Sequence, residues 1–63
     1  MDWANKIKEL RSKLLMTQSE LSNILFVSYS TINRWEKGHH EPTMKLKRRL
    51  KELFYQNKIK MEE

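Results

Sequence analysis

The sequence contains no cysteine and only one glycine and one proline. Without cysteine the chain has no disulfide framework and no thiolate for catalysis or zinc binding. The longest apolar run spans residues 24–27, whereas a membrane helix needs about 20 apolar residues. The N-terminus also lacks the apolar segment of a signal peptide. These features favour a soluble, cytoplasmic protein.

No run of alternating apolar and polar residues has the length of a strand, so an all-α fold is predicted. The single glycine and single proline stand where helices are expected to end. A chain of 63 residues forms one domain at most and buries only about 60% of its unfolded surface. We expect one domain over residues 1–56 and a short C-terminal tail over residues 57–63.

Two amphipathic helices are predicted at the ends of this domain, because apolar residues recur there at helical spacing. The first helix has its apolar stripe at Trp3, Ile7, Leu10 and Leu14. The last begins near Thr43 as a possible cap and has its stripe at Leu46, Leu50, Leu53 and Phe54. Its outer face carries basic residues at 45, 47, 48, 49 and 51, and we expect that face to be exposed.

The stretch from Thr17 to Gly38 is predicted to form two short helices joined by a tight turn. Thr17 and Glu20 have the spacing of a capping box, which starts the first of these helices. Ser28 is placed to cap the second, and Gly38 is placed to end it. Only residues 25–27 separate the two helices, which is the arrangement of a helix-turn-helix.

The charge balance points to a polyanionic partner. The net charge is +5, and residues 43–63 hold seven basic and three acidic residues, a net of +4. Such an excess is typical of proteins that bind nucleic acid, although charge alone does not define a fold.

The second helix of the pair has side chains suited to reading DNA. Once Ile32 and Trp35 face inward, Tyr29, Ser30, Asn33 and Arg34 are left on the outer side. Arginine can donate two hydrogen bonds to guanine, and asparagine can pair with adenine in the major groove. At the start of the first helix of the pair, Gln18 and the free N–H groups suit a DNA backbone phosphate.

These residues together resemble the Cro/phage-repressor family, the Xre-type helix-turn-helix domains. The resemblance covers residues 7–54 and rests on Arg11, residues 17–21, Val27-Ser28, Ile32, residues 35–38 and Pro42. It implies a compact bundle of four or five helices and a structural ion pair between Arg11 and Glu36. It also implies that helix 28–37 enters the major groove of an operator. The DNA-binding residues expected on this basis are Gln18, Ser28, Tyr29, Ser30, Asn33, Arg34 and Lys37.

From this resemblance we expect a repressor that needs no cofactor and binds a pseudo-palindromic site as a homodimer. The surface from Tyr55 to Met61 is one candidate for the dimer contact. The main departure from the family pattern is Phe26, which stands where the family usually has glycine in the turn. A non-glycine residue in the left-handed conformation costs about 1–2 kcal/mol, so either the turn differs here or Phe26 gains enough packing to offset that strain.

Two other classes of function compete with DNA binding. A protein-interaction module, such as an antitoxin or a transcriptional adaptor, would expose apolar side chains, for which Phe26, Tyr55, Ile59 and Met61 are candidates. An enzyme is disfavoured because the sequence shows no arrangement of nucleophile and base. The adjacent histidines 39 and 40 lack a third ligand at useful spacing, so no metal site is expected.

Overall fold

The computed structural model describes residues 2–59 and forms four α-helices over that range. They are α1 (Trp3–Leu14), α2 (Gln18–Leu25), α3 (Tyr29–Glu36) and α4 (Met44–Gln56). No strand occurs within residues 2–59, and the all-α prediction is confirmed. Helices α2 and α3, with the turn between them, form the predicted helix-turn-helix. Residue 1 and residues 60–63, the end of the predicted C-terminal tail, lie outside the described range.

The predicted caps start the two helices of this unit. In the capping box, the Glu20 backbone N–H donates to Thr17 Oγ1 at 3.1 Å, and the Thr17 N–H donates to Glu20 Oε1 at 2.9 Å. Ser28 Oγ accepts the backbone N–H of Thr31 at 3.2 Å. Thr43 occupies the N-cap position of α4, but its hydroxyl makes no capping hydrogen bond. The first turn of α4 is therefore less fixed by local bonds.

Each of the four helices that the structure describes is followed by a residue in the left-handed conformation. These residues are Leu15, Phe26, Gly38 and Lys58, with φ between 54° and 78°. The N–H after each of them bonds back to the carbonyl five residues earlier, at 2.8–3.0 Å, as in a Schellman motif. Only one of the four is glycine, so three of these helix ends have no glycine to mark them in the sequence.

The core draws on all four helices. Its buried apolar side chains are Trp3, Ile7, Leu10, Leu21, Leu25, Ile32, Trp35, Leu50, Phe54 and Ile59. The stripes predicted for the first and last helices, together with Ile32 and Trp35, supply seven of the ten, while Leu14, Ile24, Leu46 and Leu53 are half-buried. The expectation that Ile59 is exposed is wrong, because left-handed Lys58 turns the chain back and Ile59 packs into the core.

Aromatic and basic side chains join α1 to α4. The rings of Trp3 and Phe54 lie 6.0 Å apart between centroids. Lys47 Nζ lies 5.4 Å from the centroid of the Trp3 ring and 2.9 Å from Glu41 Oε1. The prediction that the whole basic face of α4 points outward therefore needs correction, because Lys47 packs over the aromatic ring. No helix within residues 2–59 is both long and apolar enough to cross a membrane.

Candidate nucleic-acid interface

Helix α3 has two chemically different faces. Ile32, Trp35 and Glu36 are buried against the rest of the protein. Ser30, Arg34 and Lys37 follow one another at helical spacing on the opposite face, and all three are exposed. The helix therefore presents a polar, cationic stripe to solvent, and we call Ser30, Arg34 and Lys37 the outer stripe.

Tyr29 and Asn33 lie beside the outer stripe, along one edge of α3. Tyr29 is 53% exposed, and Asn33 is half-buried. The pKa of Arg11 is raised, chiefly by its hydrogen bond to Glu36 and more weakly by Tyr29. This edge carries a phenol and an amide, both able to form hydrogen bonds with a ligand along α3.

The N-terminus of α2 has two backbone donors to spare. A helix start leaves four N–H groups without intrahelical partners, and the capping box satisfies those of Thr17 and Glu20. The N–H groups of Gln18 and Ser19 remain. They belong to the positive end of the helix dipole, which favours an anion such as phosphate.

Arg11 and Glu36 form a two-bond ion pair next to this N-terminus. Arg11 Nε lies 2.5 Å from Glu36 Oε2, and Nη2 lies 2.8 Å from Oε1. The Arg11 side chain is 23% exposed and that of Glu36 only 4%. Burial pushes the pKa of Glu36 upward, but hydrogen bonds from Arg11 and Gln18 outweigh it and hold that pKa below its usual value. Glu36 is therefore a buried carboxylate that stays ionised.

Gln18 joins this ion pair to the start of α2. Its Nε2 donates to Glu36 Oε1 at 3.0 Å, while Arg11 Nη1 donates to the carbonyl of Met16 at 3.1 Å. Three helices thus meet at a single carboxylate. The sequence motifs did not reveal the bond from Gln18, because it depends on how α2 and α3 pack.

A groove runs along the other edge of the outer stripe, between α3 and the start of α4. Thr31, Arg34, His40 and Thr43 are among the side chains that line it. The sequence reasoning missed Thr31, His40 and Thr43, since their approach to Arg34 depends on the path of the loop after α3. Within residues 2–59, no group of three His, Asp or Glu side chains is placed to hold a metal ion.

Internal hydrogen bonds also involve the predicted contact residue Ser28 and one residue of the basic face of α4, Arg49. The Ser28 hydroxyl accepts from the Thr31 N–H and shares a 2.9 Å bond with the Thr31 hydroxyl. Arg49, on the basic face of α4, donates from Nη2 to the carbonyl of Ile24 at 3.3 Å. Arg49 is exposed, as Lys45 and Arg48 are, but its hydrogen bond also ties α4 to the end of α2.

Three regulators of known sequence are similar to this chain. A protein of Archaeoglobus fulgidus, named as an uncharacterized HTH-type transcriptional regulator, is 41% identical over 49 residues, which cover 78% of this chain and 69% of that protein. A protein of Pyrococcus abyssi, named as an HTH-type transcriptional regulatory protein, is 40% identical over 55 residues, covering 87% of this chain. The HTH-type transcriptional activator BcrR of Enterococcus faecalis is 32% identical over 54 residues, covering 86%.

The chain spans only 17% of the length of the Pyrococcus protein and 26% of the length of BcrR. No solved structure shows significant similarity to the chain. The sequence model of the helix-turn-helix family matches residues 7–53, which contain the ion pair, the capping box and the outer stripe. The chain therefore belongs to the helix-turn-helix family of the Cro/phage-repressor (Xre) type.

Proposed function

We propose that this chain is a sequence-specific, double-stranded DNA-binding repressor that inserts α3 into the major groove. The observation that carries this proposal is the outer stripe, the exposed face of α3 opposite its buried side chains. An α-helix fits the major groove, where each base pair offers a distinct pattern of donors and acceptors. In a helix-turn-helix the helix before the recognition helix, here α2, crosses the DNA backbone. Its N-terminus can bind a phosphate there.

Each side chain has a role in this proposal that follows from its chemistry. Arg34 reads guanine through two hydrogen bonds, and Ser30 contacts a neighbouring base edge. Tyr29 and Asn33 reach a phosphate, a thymine methyl group or an adenine from the edge of α3. Gln18 and Lys37 bind phosphates on the two sides of the major groove and set the register of α3 along it. Ser28 has the smallest part, because its hydroxyl already caps α3.

The repressor role and the homodimer belong to the same proposal. A bound domain excludes other proteins from the DNA it covers, so repression needs no further contact. A symmetric dimer reads two half-sites about one helical turn apart, which strengthens the grip of so small a domain. Tyr55 is 84% exposed and lies beside a shallow groove at the end of α4, so we place the contact between copies there. Such a regulator acts in the cytoplasm, where an operator is accessible.

Selection from a pool of random duplexes tests the proposal directly. The selected site and a scrambled duplex of equal length are then titrated with the protein at several salt concentrations. We expect at least about a thousandfold preference for the selected site, and the two halves of the site are expected to be related by symmetry. Equal affinity for both duplexes at every salt concentration would reject sequence-specific binding.

A protein-interaction module is the second candidate function, and the exposure of apolar side chains favours it. Phe26 is 88% exposed and Tyr55 is 84% exposed. Such side chains can anchor a partner protein. A pull-down that recovers a stable protein partner and retains no DNA would support this function over the first. Met61, the last candidate named for that surface, lies outside the described residues.

A further inference from the structure

We propose that Glu36 is a positioning residue for DNA binding, because it fixes the amide of Gln18 toward the DNA backbone. The ion pair with Arg11 would then set DNA affinity as well as the stability of the fold. This inference rests on the proposed function, since it describes how one phosphate contact of that interface is prepared. Glu36 is buried, so it affects DNA binding without contacting the DNA itself.

The hydrogen bond to Glu36 restricts the geometry of the Gln18 amide. A glutamine amide is planar, with two N–H donors and one carbonyl acceptor in fixed directions. One N–H of Gln18 is used by Glu36 at 3.0 Å. Because the amide is planar and attached to α2, this bond also restricts the directions of the second N–H and of the carbonyl oxygen. The half-buried side chain of Gln18 is thus partly ordered before DNA arrives.

The Glu36 carboxylate that accepts this hydrogen bond is itself held in place. Glu36 is 4% exposed and receives two hydrogen bonds from Arg11. Arg11 also donates to the carbonyl of Met16, two residues before Gln18. The same guanidinium therefore holds both the carboxylate that orients Gln18 and the loop from which α2 starts.

The negative charge of Glu36 is neutralised by Arg11 and therefore does not oppose a phosphate nearby. An isolated carboxylate close to a phosphate would repel it, but here the guanidinium of Arg11 neutralises Glu36. Glu36 is ionised and can only accept hydrogen bonds, so it has no bond to offer a phosphate. Its contribution passes through Gln18, whose amide gives one donor to Glu36 and keeps the other for the DNA. Ordering a side chain costs free energy on binding, and a side chain that is already ordered avoids that cost.

A double-mutant cycle on DNA affinity tests this coupling. We expect Gln18→Ala to weaken binding to the selected duplex by about tenfold in the native protein, as for loss of a hydrogen bond to a charged group. In the Arg11→Met/Glu36→Met background, where Gln18 has lost its anchor, we expect the same substitution to weaken binding by less than about threefold. Asn23→Ala removes an exposed amide from the same helix and serves as the control. It should leave DNA affinity unchanged in both the native and the double-methionine background.

A measurement on the unaltered protein keeps the test independent of how the variants fold. In NMR spectra without DNA, the Gln18 side-chain amide should show slow proton exchange and restricted motion, while the exposed amide of Asn23 exchanges fast. Equal mobility of the two amides would overturn the inference, as would equal effects of Gln18→Ala in both backgrounds. If the native protein shows no preference for the selected duplex, the proposed function fails. If the preference is present but the cycle is additive, only the inference fails.

Discussion

Phe26 and Gly38 follow the two helices of the helix-turn-helix in the same left-handed conformation, with φ of 57° and 78°. Glycine adopts this conformation without steric cost, whereas a residue with a Cβ pays about 1–2 kcal/mol. The sequence left open whether Phe26 offsets that cost by packing. Phe26 is 88% exposed and gains little from packing, so the structure favours strain.

We expect Phe26→Gly to raise the free energy of unfolding by about 1 kcal/mol, because glycine relieves the left-handed strain. Urea unfolding followed by circular dichroism measures the change. Gly38→Ala is the matched control and should lower stability by a similar amount. A Cβ at position 38 would meet no atom within 4 Å, so its effect reports the backbone alone. A loss of stability in Phe26→Gly would show that the phenyl ring makes contacts that matter to the fold.

The ion pair gives a second prediction on stability. Arg11→Met leaves the Glu36 carboxylate buried without its cation, and removing one partner of such a pair typically costs about 3–5 kcal/mol. We expect a value near the lower end, because Arg11 is 23% exposed. Replacing both residues with methionine should restore most of the loss, since neither charge is then left uncompensated. A double variant less stable than Arg11→Met would contradict this explanation.

Acid should weaken the fold through Glu36. Its pKa is lower in the folded protein than in the unfolded chain, so the unfolded chain binds the proton more tightly. The stabilisation is therefore complete above the unfolded pKa of about 4.5 and is lost as the pH falls through the folded pKa. Urea unfolding between neutral pH and about pH 3 should show this decline.

Two variants identify the group responsible for the acid effect. The Arg11→Met/Glu36→Met protein should lose less stability with acid than the native protein. Glu41 also has a lowered pKa, through its hydrogen bond from Lys47, but it lies on the surface, so Glu41→Gln should leave most of the decline in place. The opposite pattern would assign the decline to Glu41.

On DNA, Arg34→Ala should lose about 1–3 kcal/mol of binding to the selected site and relax the preference at one base position. Binding to duplexes that vary at each position of the site measures both effects. Lys45→Ala and Arg48→Ala should instead weaken binding to all sequences alike, if these exposed cations meet phosphates. A uniform loss in Arg34→Ala would mean that Arg34 contacts only the DNA backbone.

The sequence predicted the features that depend on neighbouring residues. The Thr17–Glu20 capping box, the Ser28 cap and the apolar stripes each involve residues within one or two helical turns, so their spacing is visible in the chain. It did not predict the burial of Ile59, which depends on a left-handed lysine that has no local signal. The bonds from Gln18 to Glu36 and from Arg49 to the Ile24 carbonyl were also out of reach, because they join segments 18 and 25 residues apart.

The separation of the two faces of α3 has a consequence for how related regulators diversify. The inner face holds the helix in the bundle through Ile32 and Trp35, while exposed positions such as Ser30, Arg34 and Lys37 add little to folding. Exchanging those outer residues leaves the scaffold intact and alters only what it recognises. Duplicated copies of such a gene can therefore acquire separate targets by a few substitutions, without first evolving a new fold.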